Sequence, residues 1–213
     1  IAGECVVTAD GHSYSMARGN VFDDPSAAVY VPPSAEVTIE AKTNTQIAWC
    51  SGVADSPGDV RHIVPTDIKS KTVGRASYER TVCDIVSADF PAQHLVLGET
   101  FNAPGGWSSY PPHRHDQDRL PQEADMEEIY FFKVRPEEGF GFQRVYSTEA
   151  GYDRAIVVKD ETVVEIPEGY HPVSAAPGCE VYYLWVLWGE KRILAPFDDP
   201  GFASVRARLD AED

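Results

Sequence analysis

The chain has 213 residues, 43% of them hydrophobic and 11% aromatic, so it can bury a core and is not disordered by composition. Its 18 Lys and Arg stand against 34 Asp and Glu, a formal net charge of −16. That balance argues against nucleic acid and anionic membranes as partners, because both need basic patches, but leaves open a small acidic ligand held by local positive charge.

The opening stretch, "IAGECVVTADGHSYSM", lacks the charged-then-apolar pattern of a secretory signal. It also lacks an initiator Met, so further residues are expected upstream. Short β-like runs follow: "AVYVPP" (28–33), "EVTIEA" (36–41) and "TQIAWC" (45–50). A Gly/Pro/Asp-rich stretch, "SGVADSPGDVRHIVPTD", reads as the connection between two halves, and "PTDIKSKTVG" (65–74) as a turn or short helix. The later runs are "RTVCDIV", "HLVLGETF", "EIYFFKV", "FGFQRVY", "AIVV", "TVVEIP" and "VYYLWVLW". β-branched and aromatic residues fill them and turn residues bound them, which predicts an all-β sandwich or barrel. The polar stretch "DQDRLPQEAD" (116–125) reads as an exposed loop interrupting a strand pair, either a surface excursion or a lid.

No apolar run is long enough to span a membrane. Cys5, Cys50, Cys83 and Cys179 form no C-x-x-C pair, so neither a zinc ribbon nor a thioredoxin-like site is indicated. A reduced, cytoplasmic protein is the expectation.

The chemistry concentrates in the second half. In "SSYPPHRHD" (108–116), alternate residues of an extended chain share a face, so His113 and His115 point the same way. By the same alternation Glu128, Tyr130 and Phe132 share a face, although spacing alone allows either Glu127 or Glu128 as a ligand. "PEGYH" sets His171 beyond a Pro-Gly turn at the end of another strand. Three imidazoles and one carboxylate make a mixed nitrogen and oxygen shell that suits a divalent Zn, Mn, Fe, Co or Ni. His12 and His62 are isolated and read as surface residues.

H-x-H, a later Glu, then P-x-G followed closely by His resembles the two motifs of the cupin superfamily. "GGWSSYPPHRHD", "MEEIYFFKVRPEEGFGFQRVY", "VPTD", "PEGYHPVSAAPG", "VYYLWV" and, in the early half, "AVYVPPSAEVTIEA" together are similar to the 5-deoxy-glucuronate isomerase family of myo-inositol catabolism. The resemblance implies a bicupin, two cupin-type β-barrels in one chain. Residues 1–65 would form the first barrel, truncated at its N-terminal side and without a metal site, and 66–213 the second, which carries the metal. It implies His113, His115, Glu128 and His171 as ligands of a divalent metal ion, with zinc sufficient for the chemistry.

Three departures from the family pattern stand out. Glu161 occupies a turn position where the family usually has Gly. Trp185 and Trp188 stand where it has Asn and a small residue. "TVGRASYERTVCDI" lacks the usual Arg-Gly pair but keeps Arg80.

The implied reaction is an aldose–ketose isomerisation of a small sugar acid, with transfer by proton or by hydride left open. Arg144 is a candidate for the substrate carboxylate, since a guanidinium binds one in bidentate fashion. It alternates with Gln143, so only one of the two can face the pocket directly; a surface salt bridge is the other reading of Arg144. Arg192 is a second cationic candidate. Tyr130, beside Glu128, is the candidate proton donor, or else a core tyrosine. Tyr182, like Tyr110 and Tyr146, rests on the resemblance alone. Two other functions fit the same ligand set: a cupin Fe(II) dioxygenase and a non-enzymatic sugar-binding bicupin. Apolar cupin faces often pair, which allows a homo-oligomer.

Overall fold

A computed structural model describes residues 1–211. The chain begins with a hairpin of β1 (Gly3–Ala9) and β2 (His12–Arg18). Asp10 and Gly11 close it with φ of 48° and 74°, the two left-handed residues that a tight two-residue hairpin turn needs. Next come β3 (Ala28–Tyr30), β4 (Val37–Ala41) and β5 (Arg61–Ile63). β4 joins the hairpin as a third strand, and β3 pairs with β5. The run "TQIAWC" forms no strand; only Gln46 bridges to Ala2, and Ile47 and Trp49 are exposed.

The stretch expected to be a turn or short helix divides. Pro65–Asp67 makes one 3₁₀ turn, and β6 (Lys69–Val73) follows as a strand at a sheet edge. A second 3₁₀ turn, Ala76–Tyr78, leads into β7 (Arg80–Val86), and β8 (Leu95–Asn102) follows. The short strands β9 (Trp107–Ser108) and β10 (His113–Arg114) precede β11 (Glu127–Arg135). β12 (Gly141–Ser147), β13 (Tyr152–Val158), β14 (Val163–Ile166), β15 (Val173–Ala175), β16 (Glu180–Trp188) and β17 (Phe197–Asp198) complete the strands. One helix, α1 (Ala203–Ala211), ends the described chain.

The architecture is all-β, as the strand pattern implies. An antiparallel six-stranded sheet runs β14-β11-β16-β8-β7-β6, and a four-stranded sheet runs β13-β12-β15-β9. Tyr130, Phe132, Val134, Val181, Tyr183, Trp185 and Leu187 from the first pack with Val145, Val158 and Val173 from the second. The two sheets therefore face each other across one core. They form the two walls of a flattened barrel, and hydrogen bonding does not close it among the described residues.

The outer face of the six-stranded sheet is covered as well. Tyr182 and Leu184 pack there with Val21, Ile63, Ile85 and Val86, against Ala28 and Tyr30 of β3. Burial on both faces is why "VYYLWVLW" is apolar at every position, where a half-exposed strand would alternate.

Candidate metal centre

The inner core opens at one end on three imidazoles. His113 and His115 lie at and just beyond β10, with Arg114 between them turned to the opposite side. The Arg114 guanidinium is buried against Asp116 (3.5 Å), Glu123 (3.4 Å) and Glu149 (3.3 Å), and against the rings of Tyr170 and Phe197. Glu123 also takes an ion pair from Arg119 of the 116–125 loop, so the base of that loop is fastened beneath the histidines. His171 follows Gly169, whose φ of +92° makes the turn; a Cβ there would lie 2.6 Å from the Tyr146 carbonyl oxygen.

The three rings converge. His113 and His171 are 4.9 Å apart by centroid, His115 and His171 5.1 Å, and one nitrogen from each ring falls within 4.8 Å of the others. Glu128 points inward with its Oε2 3.1 Å from His115 Nε2 and 3.2 Å from His171 Nε2, whereas Glu127 is exposed on the other face of β11. Backbone carbonyls fix two of the rings. Nδ1 of His115 lies 2.8 Å from the Met126 oxygen, and Nδ1 of His171 2.9 Å from that of Gly169. His171 thus carries its proton on Nδ1 and presents the Nε2 lone pair to the cluster, whereas His115 meets an acceptor at each nitrogen, the Met126 carbonyl and the Glu128 carboxylate.

Burial, helped by the neighbouring imidazoles, pulls His171 down to about 3. His113 keeps some exposure at the mouth, yet desolvation and the nearby charges of His115, Arg80 and Arg206 bring it to about 3 as well. Burial also pulls on His115, but the hydrogen bond and charge of Glu128 outweigh it and raise that ring. His113 and His171 are thus neutral donors at neutral pH. His171 Nε2 is buried with no hydrogen-bond partner, a cost that a bound cation would remove. Three nitrogens and one carboxylate around an unpartnered lone pair fit a divalent metal of the borderline class.

Tyr130 stands beside the cluster. Its ring lies 5.9 Å from that of His171 and stacks on Tyr183 at 4.5 Å, and its hydroxyl lies 3.3 Å from Ser109 Oγ. Burial, with the charge of Glu128, pushes its pKa well up. Gln143 is fully buried on the inner face of β12 and pairs with Val173, two residues beyond His171. Neither atom of its side-chain amide has a partner.

The structure does not bring Arg144, Tyr182 or Arg192 to the histidines. Arg144 alternates outward from Gln143, forms two bonds to Asp153 (2.8 and 2.7 Å) and lies over Tyr146. Tyr182 is on the outer face of β16, where its hydroxyl donates to Glu99 at 2.7 Å beside Arg18. Arg192 caps the carbonyls of Ser87, Ala88 and Leu95. Sequence reasoning gave no role to Ser109, Asp116 or Glu123, and noted Arg80 only as retained. No local spacing marks Ser109 or Arg80, and Asp116 and Glu123 fall in the stretch read as an exposed loop, where Glu123 is in fact fully buried against Arg114.

A cavity of about 590 Å³ lies on the other side of the six-stranded sheet, lined by residues such as Val29, Ile39, Trp49 and Leu184. It is mainly apolar, and its buried charges, Arg18 and Glu99, already satisfy each other at 2.5 Å. The convergent polar groups are with the histidines, so the chemistry is assigned there.

The sequence model of the KduI/IolB family matches residues 1–205. The 5-deoxy-glucuronate isomerase of Geobacillus kaustophilus (strain HTA426) is 42% identical over 184 residues, 86% of this chain and 67% of the relative. That of Bacillus subtilis (strain 168) is 36% identical over 193 residues, 90% of this chain and 71% of the relative. A crystal structure of an IolB-like protein from Salmonella typhimurium LT2 superposes with a TM-score of 0.91 at 30% identity, covering 96% of this chain and 79% of that one.

Proposed function

The chain belongs to the KduI/IolB family, and from that premise we propose that it is a metal-dependent aldose–ketose isomerase converting 5-deoxy-D-glucuronate to 5-dehydro-2-deoxy-D-gluconate in myo-inositol catabolism. The observation that carries the metal dependence is the convergence of His113, His115 and His171 on Glu128 with a buried lone pair left over. These four residues would hold the ion, with zinc as the assignment. When bound, it supplies Lewis-acid polarisation of a substrate oxygen without redox change.

The reaction moves hydrogen between a carbonyl carbon and its hydroxyl-bearing neighbour. Tyr130 keeps its proton at any physiological pH and so holds a donor against a substrate oxygen. Glu128 fixes the negative charge of the site against two imidazoles. Gln143 offers both an amide donor and an acceptor from a wall that is otherwise apolar, which suits hydroxyls of a sugar acid. The burial of His115, His171, Glu128 and Tyr130 limits the access of bulk water to the reacting groups.

The proposal divides the chain into a first barrel unit, 1–65, and a second, 66–213. It is supported by β6 at Lys69 being the first strand in sequence of the six-stranded sheet. It takes the partner to be a small sugar acid, not nucleic acid, and the compartment to be the cytoplasm, in keeping with four free cysteines. A homo-oligomer is supported by Phe140, Phe142 and Val157, all exposed on or beside β12 and β13.

The test is conversion of 5-deoxy-glucuronate by purified protein without oxygen or nicotinamide. His113→Ala should lose most metal and activity and keep its β circular dichroism. Full activity in a metal-free His113→Ala protein would overturn the mechanism.

A further inference from the structure

We infer that Arg80 binds the carboxylate of the substrate, an inference that rests on the sugar-acid reading above. Arg80 begins β7, where it alternates with Val82, whose side chain packs into the inner core. Its register partner is Asn102 of β8, itself paired with Val181 of the inner core. The guanidinium therefore emerges on the inner face of the sheet, the side of the histidines.

What it meets there is unusual for this protein. The other arginines that are buried or close to the site carry their own compensation. Arg18 has Glu99, Arg114 has Asp116, Glu123 and Glu149, Arg206 has Asp198, and Arg192 has three carbonyls. Arg80 is half-buried, and among the described residues its hydrogen bond runs from Nη1 to the Tyr78 carbonyl at 3.1 Å. No carboxylate pairs with it among the described residues. A half-buried cation without a counter-ion is costly, and an incoming anion would offset that cost.

Its surroundings hold it ready. Gly74, at φ +77°, lets the chain fold back so closely that a Cβ there would lie 2.7 Å from Nη1. Tyr78, whose carbonyl takes the Arg80 hydrogen bond, is buried beside Tyr110, which also meets Trp107 and Phe202, so an aromatic cluster adjoins the segment that anchors Arg80. The charge of Arg80 is felt at Tyr130, Tyr183 and His113, placing it within electrostatic reach of the reacting end without touching the ligands. A substrate with a carbonyl at one end and a carboxylate at the other needs two such poles, set apart. The histidine cluster and Arg80 supply them, and the free fork of a guanidinium matches a carboxylate.

The experiment compares Arg80→Gln and Arg80→Lys with wild type on 5-deoxy-glucuronate and on 5-deoxy-glucose, which has a neutral CH₂OH in place of the carboxylate. Arg80→Gln should lower kcat/KM for the acid about 100-fold, chiefly through KM, and change it by less than about threefold for the alcohol. Arg80→Lys should fall between, and metal content should equal wild type in both. An equal loss on both substrates, or none on the acid, overturns the assignment. If wild-type protein leaves the acid unconverted, the isomerase reading fails on its own. Calorimetric titration with the same acid then decides Arg80: binding by wild type but not by Arg80→Gln upholds it, and equal binding, or binding by neither, overturns it.

Discussion

Asp116 Oδ2 accepts a hydrogen bond from the backbone N–H of Gly169 at 2.6 Å. This bond ties the segment bearing His113 and His115 to the turn bearing His171, residues far apart in the chain. Gly169 uses its own carbonyl to orient the His171 ring, so one residue's backbone answers to both halves of the ligand set.

Asp116→Ala should therefore act on two measurements at once. It leaves the Gly169 N–H unpaired and removes one of the charges facing Arg114. We expect a loss of about 2–3 kcal/mol in denaturant unfolding and about 10–100-fold in metal affinity. Asp116→Asn keeps an acceptor for Gly169 and should retain most of that affinity. Unchanged metal titration in the alanine variant would show that the tie does not position the ligands.

Metal binding should be visible without turnover. Zinc at about a hundred times its dissociation constant stabilises the native state by about 2.7 kcal/mol, an increase in Tm of about 5–10 °C for a chain of this size. Chelation should reverse the shift. His113→Ala should show little of it, and a full shift in that variant would count against the three-imidazole site.

Gln143 sets stability against function. Its amide is buried with no partner for oxygen or nitrogen, so Gln143→Leu removes an unsatisfied group while filling a similar volume. Stability should hold or rise by about 1–2 kcal/mol, while kcat/KM for the sugar acid should fall at least about tenfold. A stabilised variant with wild-type kinetics would make Gln143 a strained core residue only.

Tyr182→Phe tests the opposite case. Its hydroxyl serves Glu99 on the outer face of the sheet, away from the histidines. The variant should lose about 1–3 kcal/mol, the usual range for a hydrogen bond to a buried charged group. Its kcat/KM should stay within about twofold of wild type. A large kinetic defect at normal stability would bring Tyr182 into the substrate site.

Much of this was legible in the sequence because strand alternation is a local rule. It put Glu128 and Tyr130 on one face of β11 and His113 beside His115, and the structure has both. It set Gln143 and Arg144 on opposite faces, and which of them turned inward depended on the opposing sheet. The hairpin of β1 and β2 carried an Asp-Gly turn signal but little apolar alternation, and went unread. "TQIAWC" has strand composition but no partner beyond one bridge, so it stays irregular. α1 buries no residue and has no apolar stripe to betray it. Glu161 adopts φ +61°, the left-handed conformation that favours glycine, at the turn position where the resemblance implies one.

Strand β16 contributes alternate side chains to two different cores, Tyr183, Trp185 and Leu187 to one and Tyr182 and Leu184 to the other. Neither half can melt while the other persists, because losing either strips one face of a strand that the other still needs. The chain should unfold as one cooperative unit despite its two-part layout. A single-residue deletion inside the strand would send every subsequent side chain to the wrong core. The spacing of those residues is thus under heavier constraint than their identity.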